Sequence, residues 1–278
     1  MSEKHPDTCM RERPDDLPDF TAPPLVEVVI DTQFEAIPEY KQIHAGEVWG
    51  LFRDRFPNVE EHQALTPSFE TFGPPSRPQF NIQISQQVVP TLFWFLSAEG
   101  DHLIQFQADR FVRNWRKHHN VDIEYPRFEM IIDSFKKEFS TLEQFLNDRF
   151  SYELQINQCE VRYVNNIPID PKTGFQVENF FRFGDFGDYA IDDFHFRFRR
   201  TIRDEHESPI FRLSCDCGIA YTSARGATVK LEIFARGAPM GPSLNETLQF
   251  CLRAREEIVR LFADITTEKA HQLWGRLK

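Results

Sequence analysis

The sequence predicts an α+β protein made of two tandem, helix-grip-like halves, each an antiparallel sheet packed on a long helix. Short runs that alternate apolar and polar residues recur along the chain, and this period of two is typical of strands with one buried face. Two longer segments carry apolar residues at three- and four-residue steps, which indicates amphipathic helices. Each of these helices follows a run of predicted strands, so the order of elements repeats once.

The composition fits broad sheets covered by helices. The chain has 278 residues, more than the about 100–200 of a usual domain, and its hydrophobic content of 41% is close to the globular average. It contains 28 Phe against 6 Tyr and 4 Trp. Phenylalanine buries a large area without a polar atom that needs a partner. We therefore expect a sizeable core.

The formal net charge of −11 weighs against functions that need a basic surface. A long-range negative field repels phosphate backbones and anionic membranes, so we expect no membrane association and regard nucleic acid as a poor partner. No apolar run approaches the roughly 18 residues that cross a bilayer. The five cysteines are odd in number and scattered, which fits reduced thiols better than a disulfide framework. The expected location is the cytoplasm.

The N-terminal half is predicted to span residues 23–150. It follows a leader, residues 1–22, whose charges and prolines predict disorder. A helix at 42–56 ends before Pro57, because a residue that precedes proline avoids the helical conformation. A long helix at 126–148 closes the half. The predicted strands of this half cover 25–35, 80–84, 91–96, 103–108 and 111–115.

The C-terminal half is predicted to span residues 151–278. Ser243 and Glu246 have the spacing of a capping box, in which both side chains satisfy exposed amides at the start of a helix. The capping box predicts a long helix that starts at Ser243, and a second, short helix is predicted at 267–277. The Gly- and Phe-rich stretch 168–189 shows no convincing helix, which is where the repeat of elements is weakest. The predicted strands of this half cover 154–164, 194–202, 210–221 and 227–234.

Familiar catalytic and metal motifs are absent from the sequence. It contains no phosphate loop, dinucleotide fingerprint, zinc-protease helix or nucleophile elbow, so we predict no catalytic residue, cofactor or metal site. Cys215 and Cys217 are separated by one residue, whereas structural zinc sites space cysteines by about two to four, and buried free thiols are the favoured alternative. We expect Asp185, Asp188, Asp192 and Asp193 to form a solvated acidic loop rather than a cation site, because their spacing is not that of an EF-hand.

Basic and aromatic residues alternate in two predicted strands. Arg113 and Trp115 share one face of a strand, and Arg116 lies on the other. In the second half, Arg197 and Arg199 form a cationic face opposite a row of phenylalanines. Such faces can bind single-stranded nucleic acid. The alternative is that these arginines balance the excess of carboxylates, and the net charge favours it.

Glu27 and Asp31 lie on one face of the first strand. Paired carboxylates can perform acid–base chemistry only if their environments separate their pKa values. A structural ion pair is the favoured alternative, because an unpaired carboxylate in a core strand is costly to bury. We therefore expect Arg113 or Arg116 within salt-bridge reach of Glu27. The candidate binding residues are Glu27, Arg113, Trp115, Arg116, Arg197 and Arg199.

Five stretches resemble a known family: Pro23–Val29 (PPLVEVV), Leu103–Arg116 (LIQFQADRFVRNWR), Tyr125–Pro126, Phe262 and Thr266–Gly275 (TTEKAHQLWG). The family is prokaryotic, uncharacterised and described only as sporadically distributed. Patchy occurrence implies an accessory gene, such as one in a defence, toxin–antitoxin or immunity locus. The resemblance brings no catalytic residue, since the shared residues are equally consistent with a scaffold.

These observations favour a non-enzymatic interaction protein, with an accessory, antitoxin or immunity role in a prokaryotic defence locus as the specific hypothesis. The expected partner is a protein, encoded by an adjacent gene, and a homo-oligomer is a further possibility. The alternative is a small-molecule-binding or hydrolytic protein that uses a groove between sheet and helix, where such folds commonly hold ligands.

Overall fold

A computed structural model describes residues 13–72, 91–117, 123–170, 175–183, 193–222 and 226–278. Its strands are β1 Leu25–Phe34, β2 Asn58–Gln63, β3 Thr91–Leu96, β4 His102–Gln107, β5 Arg110–Arg116, β6 Ile156–Pro168, β7 His195–Arg203, β8 Pro209–Thr222 and β9 Gly226–Gly237. Its helices are α1 Ala45–Phe52, preceded by a 3₁₀ turn at Gln42–His44, α2 Phe128–Phe150, α3 Val177–Phe180, α4 Leu244–Ile265 and α5 Glu268–Leu273.

The nine strands form one antiparallel sheet in the order β2-β3-β4-β5-β1-β6-β9-β8-β7. The predicted α+β class is therefore confirmed. Two separate sheets, one for each half, were expected, and the structure corrects this: β1 and β6 pair in the middle and join the strands of 23–150 to those of 151–278. This pairing satisfies backbone groups that would otherwise be exposed along two sheet edges.

Helices α1, α2 and α4 cover one side of the sheet, which we call the inner face. Alternate residues of β1, among them Val28 and Ile30, point to this side and are fully buried. The predicted stripe of α2 packs on them and is buried from Phe128 to Leu146. Burying each such side chain contributes about 1.5–3 kcal/mol, which explains why the two long helices are fixed to the sheet.

The N-terminal segment, residues 13–22, packs against the C-terminal helices. Leu17 is fully buried, Phe20 is 5% exposed, and Phe20 forms a β-bridge with Arg276. The predicted leader 1–22 therefore needs correction over residues 13–22, which are ordered because Phe20 fills a gap in the core. Residues 1–12 lie outside the described part of the chain.

Several element boundaries differ from the expected ones. The helix predicted at 42–56 is shorter and begins as a 3₁₀ turn. Strand β2 was not predicted, since five of its six residues are polar and most are exposed. The short helix α3 lies in the stretch where none was expected. The strand predicted at 80–84 lies outside the described residues, and so do Asp185, Asp188 and Asp192 of the predicted acidic loop.

Candidate functional site

The side of the sheet opposite the helices, which we call the outer face, carries a layer of charged and amide side chains. Strand register places Glu27 opposite Arg116, and Asp31 opposite Glu160. Arg236 follows Glu160 on the next strand. Residues directly opposite in an antiparallel pair share a face, so these groups form neighbouring rows.

Two carboxylates and three arginines meet at the centre of this face. An Arg110 nitrogen donates to Asp31 Oδ2 at 2.9 Å. Arg162 Nη2 lies 2.7 Å from Glu160 Oε1, and Arg236 Nε donates to Glu160 Oε2 at 2.6 Å. The sequence singled out Asp31, but its neighbours belong to strands distant in the chain. Alternating charged residues in β6 and β9 were the only local signal.

Burial raises the pKa of Asp31 to about 6, the charge of Arg110 opposes the rise, and Glu160 adds to it. Asp31 Oδ1 is buried and has no hydrogen-bond partner among the described residues. A raised carboxylate pKa is common at acid–base sites. Here, however, the space beside the two carboxylates is about 10 Å³, enough for about one water molecule. This geometry fits a structural charge network better than a substrate site.

Residues 64–72, which we call the strap, cross the outer face without regular secondary structure. Three glutamines on three strands bind its backbone: the Leu65, Ser68 and Glu70 amides donate to side-chain oxygens of Gln107, Gln33 and Gln158 at 2.8–3.0 Å. An irregular segment cannot satisfy its amides in a strand ladder, so side-chain amides take that role. The strap thereby shields the central charge network from solvent.

Glu27 shares a face with Asp31 as predicted, and this is the outer face, but its partner differs from the one expected. Asn114 Nδ2 donates to Glu27 Oε1 at 2.8 Å. Arg116 stands opposite Glu27 in the register, yet its guanidinium donates to the Gly100 carbonyl at 3.0 Å and lies over the Trp94 ring. The predicted Glu27–arginine ion pair is therefore wrong among the described residues.

Arg113 and Trp115 lie on the inner face, each about 1% exposed. Arg113 Nε donates to Glu138 Oε2 of α2 at 2.8 Å, and Glu138 is itself 2% exposed. Burial and the charge of Arg113 lower the pKa of His102 to about 4, so its neutral ring can accept a hydrogen bond from Arg113 at 3.0 Å. This burial corrects the candidate binding role of Arg113 and Trp115, because neither side chain reaches the surface.

Strand β7 forms one end of the sheet, and no described strand pairs with its outer edge, the edge that faces away from β8. Arg197 and Arg199 are exposed on the outer face. Asp216 of β8 lies 3.5 Å from Arg197 and 2.8 Å from His195. No ion pair to Arg199 is found within the described ranges. These arginines are thus the most exposed of the predicted candidates, since Glu27 and Arg116 are only partly exposed.

The inner face of β7 carries an aromatic row. The rings of Phe194, Phe196 and Phe198 follow one another with centroids 6.4–6.5 Å apart. Phe196 packs on Phe183 at 4.1 Å, whereas Phe198 stays 36% exposed. Alternation was visible in the sequence, but the position of the strand at the sheet edge was not.

The described cysteines are buried and free. Burial raises the pKa of each thiol, to about 12 for Cys159 and Cys215, so they stay protonated at neutral pH. Over the described ranges, no group of three or more His, Cys, Asp or Glu is arranged to hold a metal ion. Among the helices described, none has the length and apolar character needed to span a membrane.

Comparisons with known protein families, with curated proteins and with solved structures found no match.

Proposed function

We propose that this chain is a non-enzymatic interaction protein that binds an extended, acidic segment of a partner protein along the outer edge of β7. One observation carries the proposal: the edge strand β7 exposes arginines on one face and carries partly exposed phenylalanines on the other. An added strand forms main-chain hydrogen bonds with such an edge, and its side chains meet both faces alternately.

The alternation of β7 specifies the chemistry of the segment. Acidic side chains would face Arg197 and Arg199, and apolar side chains would face Phe196 and Phe198. Each complementary cross-strand pair contributes about 0.2–1 kcal/mol, while the backbone ladder contributes most of the affinity. The preferred sequence is therefore an alternation of acidic and apolar residues.

The charge of the edge also disfavours some partners. Two β7 edges would place arginines opposite arginines, and like charges in such a pair are destabilising. The opposite edge of the sheet, β2, carries Glu60 and Glu61, so a second copy of the chain could approach β7 head to tail. Because such a contact joins two different surfaces, it would build a ring or an open chain of copies rather than a two-fold dimer.

The test uses a synthetic 12-residue peptide that alternates Glu and Ile, and its counterpart with Lys in place of Glu. We expect one-to-one binding of the Glu peptide only, weakened about tenfold by Arg197→Glu/Arg199→Glu because attraction becomes repulsion. Lys137→Glu/Arg253→Glu is the matched control, since it changes the net charge equally on exposed helix positions. Equal binding of both peptides, or an equal loss in the control, would contradict the proposal.

Two other outcomes would reassign the edge. Concentration-dependent self-association that Arg197→Glu/Arg199→Glu abolishes would make a second copy the partner. Tight, salt-sensitive binding of random single-stranded RNA that the same variant abolishes would favour nucleic acid, since such affinity reflects neutralised phosphates.

The wider setting of this function remains a prediction. We propose the cytoplasm, supported by the free, buried cysteines, and a partner encoded nearby in a defence locus, supported only by the family resemblance. We also propose that the halves are related helix-grip-like units. In the first, β1 pairs with β5 and α2 follows; in the second, β6 pairs with β9 and α4 follows.

A further inference from the structure

A cavity of about 50 Å³ lies on the inner face, between the sheet, α4 and the N-terminal segment. For the alternative function, small-molecule binding, the sequence indicated a groove between sheet and helix as the site. The cavity lies in such a position. Most of its walls are apolar side chains, and one end of the cavity is polar. The main apolar residues are Phe20, Leu25, Ile233, Ile258 and Phe262.

Two phenols and a buried arginine form the polar end. The hydroxyls of Tyr125 and Tyr163 lie 3.2 Å apart, and Arg255 is 2% exposed. All three residues line the same cavity; burial raises the pKa of both phenols, and the charge of Arg255 opposes the rise. Both hydroxyls are therefore protonated at neutral pH.

The hydrogen bonds of this group are incomplete. The two tyrosine hydroxyls carry two protons but share a single hydrogen bond, so one O–H has no acceptor among the described residues. Arg255 cannot accept it, because a guanidinium has donors only. Tyr125 and Tyr163 both line the cavity, so the unpaired donor belongs to its polar end whichever hydroxyl carries it.

The charged side chains around the cavity have a local excess of positive charge. Asp19 lies 3.4 Å from Arg13 and 2.8 Å from Arg127, and so meets two guanidinium groups at once. Arg255 pairs with Glu129. Three guanidinium groups thus face two carboxylates, and a single negative charge would balance them.

We propose that this cavity binds a small monocarboxylate with a short apolar tail. The carboxylate would accept from the unpaired tyrosine hydroxyl beside Arg255, and the tail would lie against the phenylalanine and isoleucine walls. A volume of about 50 Å³ restricts the tail to a few carbon atoms while the N-terminal segment stays in place. The site is separate from β7, and it does not depend on the proposed protein partner.

Calorimetric titration with straight-chain monocarboxylates from acetate to octanoate tests this site. We expect saturable one-to-one binding that is strongest at a short chain length, and at least tenfold weaker binding of the amide of the same length, because charge-assisted hydrogen bonds are the stronger ones. Tyr125→Phe/Tyr163→Phe should weaken carboxylate binding about tenfold, since the rings remain and only the hydroxyls are lost.

Two variants keep the test decisive. Tyr125→Phe alone applies if the double variant does not fold, because Tyr125 is the less buried of the two residues, and it should also weaken binding. Tyr152→Phe is the matched control: its hydroxyl donates to the Glu35 carbonyl outside the cavity, so carboxylate affinity should not change. The site is rejected if no carboxylate saturates, if the amide binds equally, or if the tyrosine variants bind as tightly as the wild type.

Discussion

Burial divides the arginines of this protein into two kinds. Arg113 is enclosed between sheet and helix, with its charge compensated by Glu138, whereas Arg197 and Arg199 extend from the sheet edge into solvent. A buried charge without a partner costs several kcal/mol, but an exposed pair contributes only about 0–1 kcal/mol. We therefore expect the first kind to determine stability and the second kind to determine binding.

Arg113→Met should lower the free energy of unfolding by about 3 kcal/mol. The change leaves Glu138 buried with one remaining cation, Arg55, 3.0 Å away and itself more than half exposed. Urea unfolding measures the loss. Arg113→Met/Glu138→Leu should recover most of it, because both charges are then removed. Arg199→Met is the exposed control and should change stability by about 0.5 kcal/mol at most; a similar value for Arg113→Met would refute the buried pair.

Asp31 should make stability depend on pH between about 4 and 6. Its pKa is about 6 in the folded protein and about 3.9 in the unfolded chain, so the folded state holds more protons in this range. The contribution of protonated Asp31 to the free energy of unfolding is fully present below pH 4 and is lost as the pH rises through 6.

Asp31→Asn should lack this dependence, because its side chain stays neutral. Since 17% of the Asp31 side chain remains accessible, we expect its stability relative to wild type to rise by about 1–3 kcal/mol from pH 4 to pH 7.5. Urea unfolding at both pH values measures the change, and Asp54→Asn controls for one lost charge at an exposed position. A constant difference between the Asp31 variant and wild type would contradict the shifted pKa.

The direction of side chains could be predicted from the sequence at this scale, but their partners could not. Alternation within a strand is local, so Glu27 and Asp31 were assigned correctly to one face, and Arg113 and Arg116 to opposite faces. Which group Glu27 meets depends on strand register and side-chain conformation. The structure selects Asn114, which lies between the two arginines considered, directly after Arg113 and two residues before Arg116.

At the scale of elements, the segments without regular structure are the ones that the sequence described least well. The strap shows no periodicity, and its contacts with Gln33, Gln107 and Gln158 join positions far apart in the chain. Strand β2 lacks the apolar alternation of a core strand because, as an edge strand, it is exposed on both sides. Long strands and the two long helices were predicted well, since each buries a periodic stripe.

Phe20→Ala should destabilise the protein by about 3 kcal/mol, even though this residue lies in a segment whose composition predicts disorder. Its ring meets Phe262 edge-on at 5.5 Å and Trp274 at 6.4 Å, and truncation would leave a cavity in the core. Phe69→Ala, in the strap, removes a ring that is 57% exposed and should cost much less. Thermal unfolding of both variants checks this. Equal, small shifts would support the disordered leader instead.

At the scale of the whole molecule, one sheet presents two different ends. The β2 end carries Glu60 and Glu61, and the β7 end carries Arg197 and Arg199, although the net charge is −11. The sequence singled out the arginines of the β7 end but not the glutamates of the β2 end. It could not place them at opposite edges, because that depends on the central pairing of β1 with β6, which joins residues more than a hundred positions apart.

Amide hydrogen exchange of β7, with and without the peptide that alternates Glu and Ile, tests strand addition most directly. The proposed function predicts slower exchange, by about tenfold or more, at alternate amides whose N–H groups point away from β8, with β2 unchanged. Arg197→Glu/Arg199→Glu should abolish this protection. Protection at β2 or around the inner cavity, or unchanged exchange at β7 when the peptide is bound, would contradict an interaction site on this edge.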